Sequence, residues 1–229
     1  MSQATDTLPD MTPAVAMIRT LGLIAALCGL IIVGAYQGTY DAVQENKRIA
    51  VERAVFKVIP AAKSIAELAA APSGEIVKVS AGGTAPAGSI KFYAGYDDAG
   101  KLTGIAAEGG AKGYADTVRI LFAYDPMKQQ IPGFSVVAAR ETPGIGDKIT
   151  VDKDFLANFP LDASLAGNGR TLAQEIRTVK HGSKANPWEI DAISGATITS
   201  RAVGKAINDT AQALLPRIAA HLDKLKEKP

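Results

Sequence analysis

The sequence predicts an α+β protein in which a single N-terminal transmembrane helix precedes a domain with an antiparallel sheet and a long C-terminal helix. Three observations support this fold class. Residues 14–36 are almost wholly apolar and long enough to cross the ~30 Å hydrocarbon core of a bilayer. Residues 90–139 contain strand-like segments separated by turn signals. Residues 201–218 repeat apolar side chains at helical spacing.

The apolar stretch at residues 14–36 is expected to be an uncleaved anchor in contact with membrane lipid. Its only charged residue, Arg19, lies close enough to one end to reach the interface, and Tyr36 and Tyr40 suit the opposite interface. A cleaved signal peptide is the main alternative. The stretch is longer than a usual signal core, however, and no clear small-x-small cleavage site precedes residues 37–41.

We divide the 229 residues into a tail at 1–13, a transmembrane helix at 14–36, a stalk helix region at 37–70 and a domain at 71–229. Apolar residues on one side of the stalk alternate with charges, which is typical of an amphipathic helix. Pro60 is expected to break that helix because proline lacks the backbone N–H.

The domain is expected to begin with a loop rich in Ala, Gly, Pro and Ser, followed by strands and one long helix. The strand candidates are residues 90–96, 102–107, 117–124, 131–139 and 175–180, with a short helix at 151–159. The last long helix is expected to start after Thr197 and to be kinked by Pro216.

Composition excludes several classes of function. Lys and Arg total 25 against 23 Asp and Glu, which leaves a net charge of +2 and no basic, aromatic-rich patch for nucleic acid. The single cysteine, Cys28, rules out an intramolecular disulfide framework and a cysteine-only metal site. His181 and His221 are far apart and lack metal-ligand spacing, so no metal site is expected.

The most informative stretch is Asp-Ala-Ile-Ser-Gly-Ala-Thr at residues 191–197, immediately before the final helix. Gly195 and Ala196 allow another group to approach the backbone closely. Thr197 and Thr199 are candidate N-caps, and a helix N-terminus also favours a phosphate. From the residues alone, ordinary capping is the simpler interpretation.

Two further loops carry glycines at positions where a ligand could approach. Residues 109–114 read Gly-Gly-Ala-Lys-Gly-Tyr, and residues 140–148 read Arg-Glu-Thr-Pro-Gly-Ile-Gly-Asp-Lys. Such loops can present backbone N–H groups to a ligand. Neither matches a nucleotide-binding pattern, so a plain turn and a charged surface loop remain open as alternatives.

The stretch at 191–197 resembles the Asp-x-x-Ser/Thr-Gly-Ala-Thr/Ser signature at which FMN is attached through a phosphoester to the final hydroxyl residue, here Thr197. With the anchor and the loops at 109–114 and 140–148 in the same order, the chain resembles the FMN-binding family shared by G subunits of Rnf electron-transport complexes and C subunits of sodium-translocating NADH:quinone reductases.

The second loop resembles the Rnf branch most, because its Glu-Thr-Pro-Gly-x-Gly is followed by Asp147 and Lys148. Many relatives carry His-Lys before the glutamate of this loop, where this chain has Ala139 and Arg140. A histidine role at that place is therefore not expected, and Arg140 supplies the local positive charge.

The resemblance implies covalent FMN on Thr197 and no catalytic residue in the chain itself. The other cofactor-binding residues it implies are Ser194, Gly195, Ala196, Thr199, Ser200, Glu141, Thr142, Gly144, Gly113 and Tyr114. Ser194 to Ala196 are expected to shape the turn, Thr199 and Ser200 to bond the phosphate, and the remaining residues to line the flavin. Asp191 is assigned to turn geometry or to recognition by the enzyme that attaches the flavin.

A threonine hydroxyl with no histidine nearby in sequence is a poor nucleophile, so a separate flavin transferase is expected to make the bond. The implied function is electron transfer within a membrane-bound ion-translocating ferredoxin:NAD+ oxidoreductase, whose other subunits are the partners. A subunit of a quinone reductase, a membrane-anchored module with non-covalent FMN and a purely structural subunit are the competing hypotheses.

The family places the FMN domain on the periplasmic side of the bacterial inner membrane, whereas the charges flanking the anchor favour the cytoplasm. Residues 1–13 contain no Lys or Arg, while Lys47, Arg48 and Arg53 follow the anchor. We expect the orientation that the family implies.

Overall fold

The structure, a computed structural model, describes residues 14–80, 83 and 85–226, and divides the chain into two compact units after Lys47. Helix α1 (Ala14–Val58) begins in the first unit. Its most apolar window has a mean hydropathy of 2.3, and it is the one helix among the described residues that is long and apolar enough to cross a membrane. The tail predicted at residues 1–13 lies outside the described residues.

The second unit contains nine strands and several helices. The strands are β1 (Ser64–Ala70), β2 (Ile76–Lys78), β3 (Ile90–Tyr96), β4 (Leu102–Lys112), β5 (Thr117–Asp125), β6 (Gln130–Ala138), β7 (Leu161–Asp162), β8 (Arg177–Val179) and β9 (Glu189–Asp191). The helices after α1 are a 3-10 helix at Gly146–Thr150, α2 (Lys153–Leu156), α3 (Thr197–Ala219) and α4 (Leu222–Leu225).

The first seven strands form one antiparallel sheet in the order β2-β1-β3-β4-β5-β6-β7. The strand candidates at residues 90–96, 102–107, 117–124 and 131–139 are confirmed as β3 to β6, which form the hairpins β3–β4 and β5–β6. Strands β8 and β9 form a separate parallel pair. The α+β class with an antiparallel sheet and a long C-terminal helix is therefore confirmed.

The expected break at Pro60 is confirmed, because helix α1 stops at Val58. The inclusion of the following residues in the stalk helix region is wrong, because residues 64–70 form strand β1. The Ala, Leu and Glu content of this segment favours a helix in isolation. In the fold, β1 lies between β2 and β3 and pairs with both, so hydrogen bonding and burial outweigh the local preference.

Helix α3 covers one face of the sheet and closes the larger hydrophobic core. Its inward side chains, among them Val203, Ile207 and Leu214, are almost completely buried. A Cβ added to Gly109 of β4 would lie 2.5 Å from the carbonyl oxygen of Ala206, so a glycine is needed for this close packing. The opposite face of the sheet has its own smaller core, to which α1 contributes Val55.

The first glycine loop, predicted at residues 109–114, begins later than expected. Residues 109–112 complete β4, and Gly109 packs beneath α3 rather than facing a ligand. Only the turn at residues 113–116 remains as loop, closed by a hydrogen bond from the N–H of Gly113 to the carbonyl of Asp116. This turn holds the two residues of the first loop that were assigned to the cofactor, Gly113 and Tyr114.

Candidate functional site

Glu141 joins the three loops singled out in the sequence. Its carboxylate accepts hydrogen bonds from the backbone N–H groups of Tyr114 at 3.3 Å and Ala115 at 3.2 Å. It also accepts a 2.6 Å hydrogen bond from the hydroxyl of Thr199 in the first turn of α3. One side chain of the second loop therefore binds both the first loop and the start of the final helix.

The contacts of Glu141 favour its charged form. Partial burial of the carboxyl would raise its pKa, but the hydrogen bond from Thr199 and those from the 114–116 turn outweigh burial, and the pKa lies below its ordinary value of 4.5. Gly113 makes room for this contact, because a Cβ there would lie 2.5 Å from the Glu141 carboxylate. Both carboxylate oxygens of Glu141 thus accept hydrogen bonds from other protein groups, and these bonds favour the ionised form.

The rest of the second loop is a compact turn. The N–H groups of Ile145 and Gly146 both donate to the carbonyl of Thr142, at 3.1 and 2.9 Å. Gly144 has a φ of +76°, the left-handed conformation that this turn requires. Thr142 and Gly144 are exposed and follow Glu141 directly, so they lie at the surface where the three loops meet.

Helix α3 starts without a side-chain cap. The residue at its N-cap is Ala196, which has no side chain able to accept a hydrogen bond, and Thr197 is the first helical residue. The capping roles considered for Thr197 and Thr199 are therefore wrong. The first turn of the helix contains no acidic residue of its own, and the carboxylate that contacts this turn is that of Glu141, through Thr199.

The three hydroxyls at the start of α3 have different surroundings. Thr199 donates to Glu141, and Ser200, which is fully buried, donates to the carbonyl of Ala196 at 2.9 Å and accepts from the N–H of Ile193. Each hydroxyl has one proton, so neither can donate to a phosphate while these bonds persist. Thr197 is half-buried, and its hydroxyl has no hydrogen-bond partner within the described part of the chain.

Gly195 precedes this helix start in a conformation that glycine favours. Its φ is +81°, and no other protein atom lies within 4 Å of the position a Cβ would occupy. Ser194 and Gly195 are exposed, whereas Ala196 is buried against the core. The backbone before Thr197 is therefore accessible to another molecule at Ser194 and Gly195, while Ala196 packs into the core.

Asp191, at the end of β9, supports the neighbouring turn. Its carboxylate accepts from the N–H groups of Gly182 at 2.9 Å and Ser183 at 3.3 Å. His181 lies 3.5 Å from the same carboxylate and makes a 3.0 Å hydrogen bond with the carbonyl oxygen of Ala192. The role in turn geometry considered for Asp191 agrees with these contacts.

A cleft of about 260 Å³ adjoins the segment that leads to Thr197. Its lining residues are Lys148, Asp152, Asp154, Phe155, His181, Asp191, Ala192, Ile193 and Ser194. Ser194 thus faces this cleft, while the hydroxyl residues that follow belong to α3.

Sequence reasoning missed two apolar residues of the site. Ile145 and Ile198 are 49% and 50% exposed, and Tyr114 is 69% exposed. Each lies next to a contact of Glu141: the N–H of Tyr114 donates to Glu141, Ile198 precedes Thr199, and Ile145 precedes Gly146, whose backbone packs against Glu141. The signal available in the sequence was a large apolar side chain within an otherwise polar or glycine-rich loop.

Comparison with known proteins matches the region of these loops to a family. Residues 113–212 match the model of the FMN-binding domain. The matched segment begins at the Gly113 turn and includes Glu141, Thr197 and most of α3.

Two relatives extend the similarity beyond that domain. The G subunit of the ion-translocating oxidoreductase complex of Haemophilus influenzae strain PittEE is 31% identical over 85% of this chain and 86% of its own length. The G subunit of the Na+-translocating ferredoxin:NAD+ oxidoreductase complex of Acetobacterium woodii is 29% identical over 68% of this chain and 70% of its own length.

A solved structure shows the same fold. The crystal structure of Shewanella oneidensis NqrC aligns with a TM-score of 0.61 at 20% identity, and the match covers 80% of this chain and 99% of that one. The resemblance to the two subunit types expected from the sequence is thereby confirmed.

Proposed function

Since the chain belongs to the family of G subunits of ion-translocating oxidoreductase complexes, we propose that it transfers electrons by means of FMN bound covalently to Thr197. The observation that carries the proposal is the state of the Thr197 hydroxyl. Among the hydroxyls of Thr197, Thr199 and Ser200, it alone has no hydrogen-bond partner in the described residues. The one hydroxyl free to be modified is the one that the flavinylation signature designates.

The surroundings of Thr197 fit a flavin phosphate. The uncapped N-terminus of α3 offers backbone N–H groups and a partial positive charge. The open space beside Gly195 gives the phosphate room to approach. Tyr114, Ile145 and Ile198 supply exposed apolar surface around the Glu141 network, which suits a planar aromatic ring.

Attachment requires an activated flavin donor, because forming a phosphoester needs a leaving group. The oxygen of Thr197 attacks the phosphorus next to the riboflavin moiety of a flavin dinucleotide, and a new oxygen–phosphorus bond forms. The pyrophosphate bond breaks and a nucleoside monophosphate leaves, while the hydroxyl proton passes to a base of the transferase. No histidine is hydrogen-bonded to Thr197 in the described residues, which supports a separate enzyme for this step.

The roles of the other site residues follow from their contacts. We assign Glu141 to holding the three loops together, and Thr199 and Ser200 to fixing the start of α3 rather than to bonding the phosphate. Bound FMN supplies an exchange of one or two electrons, and the protein supplies binding, orientation and exclusion of solvent. The chain therefore acts as one redox subunit among the other subunits of a membrane complex.

We further propose that α1 anchors the chain in the bacterial inner membrane and that the FMN domain lies on the periplasmic side. The length and apolar character of α1 support the anchor. Fusion of a reporter active only in the periplasm to the C-terminus tests the orientation. An active periplasmic reporter is expected; activity restricted to a cytoplasmic reporter would contradict the proposal and favour the charges at Lys47, Arg48 and Arg53.

Peptide mass spectrometry tests the covalent bond. The full chain, produced together with a flavin transferase, is digested and the peptide that contains Thr197 is analysed. We expect this peptide to carry the mass of a phosphoester-linked FMN. Recovery of only the unmodified peptide from protein that nevertheless binds FMN would favour the alternative of a non-covalent flavin module.

A further inference from the structure

Arg201 lies one turn after Thr197 on the same face of α3. Residues four apart on a helix have Cβ atoms about 6 Å apart, so the two side chains are neighbours. Cα–Cβ bonds in a helix tilt toward its N-terminus, and long side chains lean over the preceding turn. The guanidinium of Arg201 can therefore extend over the hydroxyl of Thr197.

Arg201 is an exposed cation near the start of α3. Its side chain is exposed and has no ion-pair partner in the part of the chain that the structure describes. The next cation on this face, Lys205, is paired with Asp209 at 2.7 Å. The carboxylate of Glu141 is already bonded to Thr199 and to the turn at residues 114–116.

An unpaired cation near the start of a helix is unfavourable by itself, because that end carries a partial positive charge. An anion bound between the helix N-terminus and Arg201 would be attracted to both, so the two positive charges would then stabilise the bound state. The match of residues 113–212 to an FMN-binding domain indicates which anion is relevant, since FMN carries a phosphate. Guanidinium groups bind phosphate oxygens through two parallel hydrogen bonds, which fixes direction as well as charge.

We propose that Arg201 binds the phosphate esterified to Thr197 and holds it against the N-terminus of α3. This inference rests on the proposed covalent attachment and adds to it a positioning residue that comes from outside the signature at residues 191–197. Arg201 forms no bond to the flavin itself and takes no part in the electron exchange.

The test compares three variants of the full chain with the wild type during attachment of flavin by the transferase from a flavin dinucleotide. Arg201→Gln removes the charge, Arg201→Lys keeps it, and Lys205→Gln removes the next cation along the same helix face. We expect Arg201→Gln to slow attachment about fivefold, the effect of losing one exposed charge-assisted contact. Arg201→Lys should restore part of the rate, and Lys205→Gln should match the wild type.

Phosphorus NMR of the loaded protein gives a readout that a purely structural role would not move. The phosphodiester resonance is expected to shift in Arg201→Gln and to stay in place in Lys205→Gln, with melting temperatures unchanged in both. If Arg201→Gln matches the wild type in rate and in resonance, the role of Arg201 is refuted while the attachment stands. A wild type that takes up no flavin, or a Thr197→Val variant that does, would overturn both proposals.

Discussion

Glu141 is the residue on which the geometry of the site depends. Its partners at Tyr114 and Thr199 lie 27 and 58 residues away in sequence, yet all meet at one carboxylate. The sequence indicated that the three loops belong to one site, because their order matches a family. It did not indicate that Glu141 connects them, because hydrogen-bond partners so distant leave no local pattern.

A double-mutant cycle between Glu141 and Thr199 measures this connection. Glu141→Ala and Thr199→Val each remove the 2.6 Å charge-assisted hydrogen bond, and the double variant removes it only once. We expect a coupling free energy of about 1 kcal/mol in urea unfolding, the size of one hydrogen bond to a partly exposed carboxylate. Strictly additive effects would show that the bond contributes nothing to stability.

Substitution of Gly195 tests whether the flavin uses the open space beside Thr197, provided that the effect of backbone strain is measured separately. Gly195→Val places a β-branched side chain at a φ of +81°, which costs about 1–2 kcal/mol, and also blocks the open space beside Thr197. Gly169→Val is the matched control, since Gly169 has a φ of +64° with equally open space in a different turn.

We expect both glycine variants to remain folded with similar losses in thermal stability, but only Gly195→Val to lose flavin attachment. Melting curves and in-gel flavin fluorescence measure the two effects. Equal attachment in the two variants would show that the open space at Gly195 is not used by the flavin.

At the level of elements, local signals predicted most of the long features and two short ones, β8 within residues 175–180 and α2 within residues 151–159, but missed β1, β2, β7 and β9. The hairpins β3–β4 and β5–β6 follow from alternating apolar residues and clear turns, and α3 from its apolar spacing. Strand β1 has a helix-favouring composition, and its two pairing partners come later in the chain, so local sequence alone indicates a helix there. Strands β7 and β9, of two and three residues, are too short to show any period.

The β8–β9 pair carries a pH dependence through Glu189. Its buried carboxylate accepts from the N–H of Ala185 at 2.9 Å and forms an ion pair with Arg177 at 2.7 Å. These contacts, chiefly the backbone bond from Ala185, lower the pKa of Glu189 to about 2. Because the folded-state pKa is below the ordinary value of 4.5, the stabilisation is complete above pH 4.5 and is lost as the pH falls toward 2.

We therefore expect the unfolding free energy of the wild type to fall between pH 4.5 and 2, and Glu189→Gln to be less stable at neutral pH with a flatter acid dependence. Urea unfolding at several pH values measures both effects. Glu75→Gln, which changes an exposed glutamate, is the control. If the unfolding free energy of Glu189→Gln fell as steeply with acid as that of the wild type, the pH dependence would have to arise from other carboxylates.

For the whole molecule, the division after Lys47 predicts where the chain can be cut. A fragment that begins at Arg48 retains the part of α1 that supplies the fully buried Val55 to the second core. A fragment that begins at Pro60 lacks it and uncovers that face of the sheet. This fragment loses the buried side chains of Val55 and Ile59 from the smaller core, which costs about 3 kcal/mol or more in unfolding free energy.

We expect the fragment from Arg48 to be soluble without detergent, to melt cooperatively and to accept flavin. The fragment from Pro60 should melt at a clearly lower temperature or aggregate. Thermal unfolding followed by circular dichroism compares them, and equal melting temperatures would show that the end of α1 does not stabilise the domain.

In-gel fluorescence after denaturing electrophoresis detects a covalent bond between FMN and Thr197, because only covalently attached flavin stays with the unfolded chain. Wild-type chain produced with the transferase is compared with Thr197→Val, which keeps the shape of the side chain, and with Thr199→Val as a neighbouring control. We expect a fluorescent band for the wild type, a dark band for Thr197→Val and fluorescence that persists, at a reduced level, for Thr199→Val. A dark wild-type band, or an equally bright band from Thr197→Val, would show that FMN is not esterified to Thr197.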